Sequence, residues 1–205
     1  TTILRLLLGL ERPSAGVIRF GDEVLDPRDK AFMRRYRRAV QAVFQDPYSS
    51  LDPRQKVEAI IAEPLRALRI PGPHHPAIEQ ALADVGLPAD AISRYPHEFS
   101  GGQRQRVALA RAVVARPQLV LADEAVSALD LSTRIRIVEL LKDLSKAITI
   151  LLVSHDLGVV ASLCEEIIIL EKGRIVEAGR TEDILASPQH PYTRKLLASV
   201  PRMPA

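Results

Sequence analysis

The sequence predicts an α/β domain with a largely parallel sheet flanked by helices and an inserted small helical subdomain. Three observations lead there. Residues 119–122 and 148–153 are short, almost wholly apolar runs, the pattern of strands buried on both faces. Helical stretches over 101–115 and 131–145 alternate with them, and such alternation builds a parallel sheet. Residues 54–98 hold Pro64, Pro71, Pro73, Pro76, Pro88 and Pro96 with helical stretches between, which marks them as an insert. Ligands of parallel sheets bind beyond the carboxyl ends of the strands, so chemistry is sought there.

The remaining elements are taken in chain order. Residues 1–10 read as a helix, ended by Gly9 and Pro13. A short strand over 17–20 lies between Gly16 and Gly21. Residues 26–38 are charged and helical, and 40–44 form a buried strand that leads into Gln45 and breaks at Asp46-Pro47. Strands at 167–170 and 174–177 flank Lys172-Gly173 as a hairpin. Thr181 is expected to cap a short helix, and a last helix comes after Pro191.

Composition narrows the class. The chain has 205 residues, 47% of them hydrophobic and 26% charged, a soluble globular profile. A net charge of +3 names no partner. Cys164 is the only cysteine, which excludes an internal disulfide and suits a reducing compartment. The longest apolar runs, 3–10 and 148–153, are far shorter than the ~20 residues a membrane helix needs. The chain begins at Thr1 and shows no signal peptide, and it is read as a fragment or a processed chain.

Two constellations carry chemistry. The apolar run 119–122 ends in Asp123-Glu124, which a buried strand would deliver to its carboxyl end. There one acid can hold Mg²⁺ and its neighbour can orient or deprotonate water. A solvated acidic turn is the plain alternative. In Ser100-Gly101-Gly102-Gln103, Ser100 and Gln103 fit a capping box, and two glycines leave the first-turn N–H groups open to an anion. A capped helix without ligand is the alternative, but two glycines there cost about 1 kcal/mol each against alanine.

With these motifs the sequence resembles the ATP-binding-cassette ATPases, which have a P-loop NTPase-type fold. Ser100-Gly101-Gly102-Gln103 is similar to their signature motif, Asp123-Glu124 to the end of Walker B, and Ser127-Ala128-Leu129-Asp130 to the D-loop. Gln45 matches the Q-loop glutamine and His155 the switch histidine, and all five occur in the family's order. The run from Thr1 to Leu10 resembles the stretch immediately after the lysine of Walker A, G-x-x-x-x-G-K-[ST]. The glycines and lysine would then lie upstream, and without them this stretch alone is expected to show no ATPase activity.

The resemblance implies ATP and Mg²⁺ as ligands. It implies catalytic roles for Glu124, His155 and Gln45. Nucleotide contacts fall to Thr1, Thr2, Ser100, Gly101, Gly102, Gln103 and Asp130, and Mg²⁺ contacts to Thr1, Gln45 and Asp123. It divides the chain into a partial nucleotide-binding core at 1–53, a helical subdomain with the signature motif at 54–115, and the remaining core at 116–205. Residues 43–54, Glu98-Phe99 and residues 190–197 resemble the peptide and nickel importer group. That group implies a second ATPase domain as homo- or heterodimer partner, two permeases and an extracytoplasmic solute-binding protein, with no nucleic acid, at the cytoplasmic face of the cell membrane. Ala125-Val126 departs from the commoner Pro-Thr, yet is seen in that group. A nucleic-acid-handling cassette ATPase, a non-catalytic half and an exporter are the competing readings. The basic run 34–38 is read as a solvated helix face, His74-His75 as non-metal residues, His97 and His190 as loop residues, and Cys164 as a core filler.

Overall fold

Three parallel strands form the sheet of the first unit: β3 (Val40–Val43), β4 (Leu119–Asp123) and β5 (Thr149–Val153), in the order β3-β4-β5. The register pairs Val40 with Leu119 and Leu119 with Thr149, so all three strands point their carboxyl ends the same way. The structure is a computed structural model that describes residues 2–46, 50–126 and 129–199. The chain divides into two units, Thr1–Val153 and Ser154–Ala205.

Apolar periodicity explains how the first unit closes. Helix α1 (Thr2–Leu7) is ended by Gly9 in a left-handed turn, φ +67°. Strands β1 (Arg19–Phe20) and β2 (Glu23–Val24) form a small antiparallel pair. Helix α2 (Lys30–Ala39) starts at Asp29, whose carboxylate accepts from the N–H groups of Ala31 and Phe32 at 2.9 Å each. The helix therefore begins later than the charge pattern suggests, because Asp29 and not Asp26 supplies the cap. Its arginines 34, 35, 37 and 38 are exposed, while Phe32, Met33 and Tyr36 turn inward. These three join Leu4, Val40 and Leu121 in one core cluster, which fastens α1 and α2 to the sheet. The Tyr36 hydroxyl donates to the Leu7 carbonyl, and burial pushes its pKa up.

Between β3 and β4 lie α3 (Val57–Ala67), α4 (His75–Asp84), two short 3₁₀ turns (Ala89–Ser93, Pro96–Glu98) and α5 (Gly101–Val113). Val57, Ile61, Ile78, Leu82 and Leu109 are fully buried there. Pro64 sits inside α3, while Pro88 and Pro96 mark starts of the 3₁₀ turns. His75 lies 3.0 Å from Glu58 and 3.5 Å from Glu79, and these carboxylates raise its pKa. His97 stacks on Tyr95 within the second 3₁₀ turn. Helix α6 (Leu131–Leu144) connects β4 to β5.

In the second unit, α7 (Leu157–Leu163) precedes the hairpin β6 (Glu166–Glu171) and β7 (Arg174–Arg180), followed by α8 (Thr181–Ala186) and α9 (Pro191–Ala198). The hairpin turns at Lys172 and Gly173, both with positive φ (50° and 78°), as a two-residue turn requires. Leu157, Val160, Ile167, Ile169 and Ile184 form this unit's core, with Cys164 packed against it. Burial raises the Cys164 thiol pKa. Thr181 does not cap α8. Its N–H bonds the Glu165 carbonyl at 2.9 Å, which draws it into the hairpin ladder, and Arg180 takes the cap position. His190 is no plain loop residue: its Nδ1 accepts from the Tyr192 N–H at 3.2 Å and caps α9.

Candidate functional site

The apolar strand β4 delivers Asp123 and Glu124 to the carboxyl edge of the sheet. Asp123 is 6% exposed as the strand's last residue. Glu124 continues the ladder through its N–H, 2.9 Å from the Val153 carbonyl, and then turns the chain away with φ +47°. A non-glycine residue in that region carries about 1 kcal/mol of strain or more, and it persists only where its surroundings hold it. Part of that hold comes from β3. Gln45, two residues beyond that strand, donates from Nε2 to Glu124 Oε2 at 2.9 Å. Two parallel neighbours thus bring an amide and two carboxylates, 79 residues apart in chain position for the bonded pair, to one edge.

A second cluster surrounds the N-terminus of α5. Ser100 is exposed and forms a reciprocal box with Gln103: the Ser100 N–H donates to Gln103 Oε1 at 2.9 Å, and the Gln103 N–H donates to Ser100 Oγ at 3.4 Å. The hydroxyl acts as acceptor in that bond and keeps its proton to donate outward. The preceding turn is braced. Arg94 lies over the Phe99 ring at 4.3 Å, and Arg104 Nε donates to the Pro96 carbonyl at 2.7 Å. Phe99 is buried, which gives the aromatic a packing reason at that position.

Asp130 caps α6, accepting at Oδ1 from the Thr133 N–H at 3.0 Å and from the Ser132 hydroxyl at 2.8 Å. Bonds from Thr133 and Ser132 lower its pKa to about 2. Thr2 opens α1 and is exposed. In the second unit, His155 is exposed in the turn that Asp156 closes, the Asp156 N–H reaching Ser154 Oγ at 3.0 Å. Asp156 in turn caps α7 through the N–H groups of Gly158 and Val159. Thr1, Ser127 and Ala128 lie outside the described residues.

Two residues at these clusters escaped sequence reasoning. Arg111, in the last turn of α5, donates from Nη1 to the Ser50 carbonyl at 2.6 Å and so ties the segment after Gln45 to the helix. Its side chain is 18% exposed, and burial lowers its pKa. Thr133 packs against Gly102. Both are contacts between distant segments, for which local pattern carries no signal.

A family model described as ABC transporter matches residues 1–127, and one described as the oligopeptide/dipeptide transporter C-terminal region matches residues 176–205. The chain belongs to the ABC transporter family. It is 47% identical, over 98% of its length, to a Brucella ovis protein named as a putative peptide import ATP-binding protein. It is 45% identical, also over 98%, to the glutathione import ATP-binding protein GsiA of Escherichia coli K12. The chain spans 65% of the Brucella protein's length and 33% of GsiA's. Its fold matches the structure of cbiO1 from Clostridium perfringens, described as part of the ABC transporter complex cbiONQ. The TM-score is 0.80 at 25% identity, covering 97% of this chain and 78% of that one.

Proposed function

We propose that the chain supplies most of the ATP-binding and ATP-hydrolysing subunit of an importer for peptides, nickel or similar small solutes. The observation that carries this reading is the Gln45–Glu124 bond at the carboxyl edge of a parallel sheet, beside Asp123. Glu124 is the group that polarises the attacking water, and its Oε2 is already oriented by an amide that cannot take its proton. Gln45 links that water to the segment that meets the permease. His155 contacts the γ-phosphate. Ser100, Gly101, Gly102 and Gln103 offer a hydroxyl and helix N–H groups to the γ-phosphate of a nucleotide held by a second ATPase domain. Asp130 joins the two sites across that dimer, and Thr1 and Thr2 come directly after the phosphate loop.

The donor set suits Mg²⁺. Among the described residues no group of three or more His, Cys, Asp and Glu gathers to hold a metal alone. Mg²⁺ instead takes one or two carboxylates together with water and substrate phosphates. Asp123 and Gln45, with Thr1, would hold it, and it would neutralise phosphate charge as the bond breaks. We further assign residues 54–115 to a helical subdomain and the rest to the nucleotide-binding core. The partners are a second ATPase domain, two permeases at the cytoplasmic membrane face and, through them, a solute-binding protein.

Glu124→Gln in a protein carrying the upstream phosphate loop tests the reading. ATP binding is expected to survive while turnover falls by about 10²-fold or more, the contribution of general-base help. Unchanged turnover would remove Glu124 from its role.

A further inference from the structure

Gly102 has a reason to be glycine that no ligand supplies. Its backbone is not in the left-handed region, so conformation alone would admit any residue. Space would not. A Cβ built at Gly102 would lie 2.2 Å from Cγ2 of Thr133, with the Thr133 Cβ and Oγ1 at 3.5 and 3.6 Å. Thr133 is held beside the cap, because its N–H bonds to Asp130 Oδ1 at 3.0 Å. The methyl is thereby kept against the first turn of α5. Asp130, Thr133 and Gly102 form one chain of contact from the cap of α6 to the glycine turn of α5.

We propose that Thr133 is a positioning residue: it seats the Ser100–Gln103 turn against the Asp130 cap, so that the two helix ends move as one piece. The inference rests on the reading of this chain as an ATPase subunit. In that reading the two ends serve different contacts across the dimer, and a rigid joint within one chain makes a shift at Asp130 a shift at Ser100. The joint needs a methyl on one helix and a bare Cα on the other. The glycine is thus fixed by its neighbour, whatever else it does for a phosphate.

A rescue experiment separates these roles, using a protein that carries the upstream phosphate loop. Thr133→Ser removes only the obstructing methyl and keeps the hydroxyl and the N–H bond to Asp130. Alanine is the better helix former, so Gly102→Ala alone would raise the thermal midpoint if position 102 faced open space. The joint predicts the opposite sign, a lowered midpoint, because forced overpacking outweighs propensity. It also predicts about a tenfold loss of ATP turnover at saturating ATP. In Gly102→Ala/Thr133→Ser both readouts are expected to return to within about twofold of the Thr133→Ser protein, since a factor of two is less than ~0.5 kcal/mol. A raised midpoint in Gly102→Ala would overturn the contact. A restored midpoint with turnover still tenfold low would overturn the positioning role and leave the glycine to the nucleotide. Absence of hydrolysis in the unsubstituted protein would overturn the ATPase reading and the positioning role with it, whereas active unsubstituted protein without rescue overturns the positioning role alone.

Discussion

The two clusters of the first unit are held by different physics. At the edge of the sheet, Glu124 sits in a left-handed backbone and depends on polar partners, the Val153 carbonyl behind it and the Gln45 amide in front. At the α5–α6 joint, position is set by caps and by shape: Ser100 with Gln103, Asp130 with Thr133, and a methyl in the space of a missing Cβ. The polar edge can be rearranged by exchanging one hydrogen-bond partner, as the proposed release of phosphate would require. The steric joint tolerates no such exchange. On the proposed reading, the difference divides a part that would switch from a part that would transmit.

Arg111 spans that division, since it fixes the Ser50 carbonyl behind the Gln45 segment to the last turn of α5. Arg111→Met keeps much of the volume and leaves a carbonyl without its charged donor. It is expected to destabilise the protein by about 2 kcal/mol, as for other hydrogen bonds to charged groups, visible as a lower midpoint in denaturant at an unchanged slope. An unchanged midpoint would show that the two regions are mechanically independent. Gln45→Ala acts on the polar edge alone. Turnover is expected to fall about tenfold, or ~1.4 kcal/mol. In a Glu124→Gln background the same substitution is expected to do much less, because the pair acts together. Additive losses in that cycle would mean that the observed bond has no part in turnover.

How much of this is legible in the sequence varies with how local the cause is. Strand β4 is readable because burial on both faces leaves an almost pure apolar run, whereas β5 carries a similar run but is only half-buried, so there the pattern finds the strand and overstates its burial. The hairpin turn is readable because Lys172-Gly173 offers the positive φ angles that such turns need. The Ser100–Gln103 box is readable because capping residues lie three apart in sequence. Thr181 misleads, since a threonine before a helix looks like a cap until the hairpin ladder claims its N–H. Glu124 can be found as a carboxylate at a strand end, but nothing about a glutamate announces φ +47°. Gly102 reads as an opening for an anion, while the methyl that fills its space comes from Thr133, on another helix. Residues whose cause is a tertiary neighbour stay silent until that neighbour is placed.

The smallest effect lies at Asp130, and it distinguishes cap from charge. Its folded pKa, about 2, is depressed below the ordinary carboxylate value of 3.8 by bonds that favour the ionised form. A depressed carboxylate contributes stability that is present above its unfolded pKa and lost as pH falls through its folded value. The contribution is therefore constant above about pH 5 and disappears between roughly pH 4 and pH 2. Asp130→Asn keeps an acceptor at the cap and cannot titrate, so the gap in thermal midpoint between it and the unsubstituted protein is expected to be flat at neutral pH and to shift in favour of asparagine below about pH 4. Asp130→Ala, which loses the acceptor altogether, is expected to lower the midpoint by a few degrees at neutral pH. If the asparagine gap stayed constant down to about pH 2, the cap would owe nothing to ionisation. The joint between the helices would then rest on the Thr133 methyl and the neutral hydrogen bonds alone.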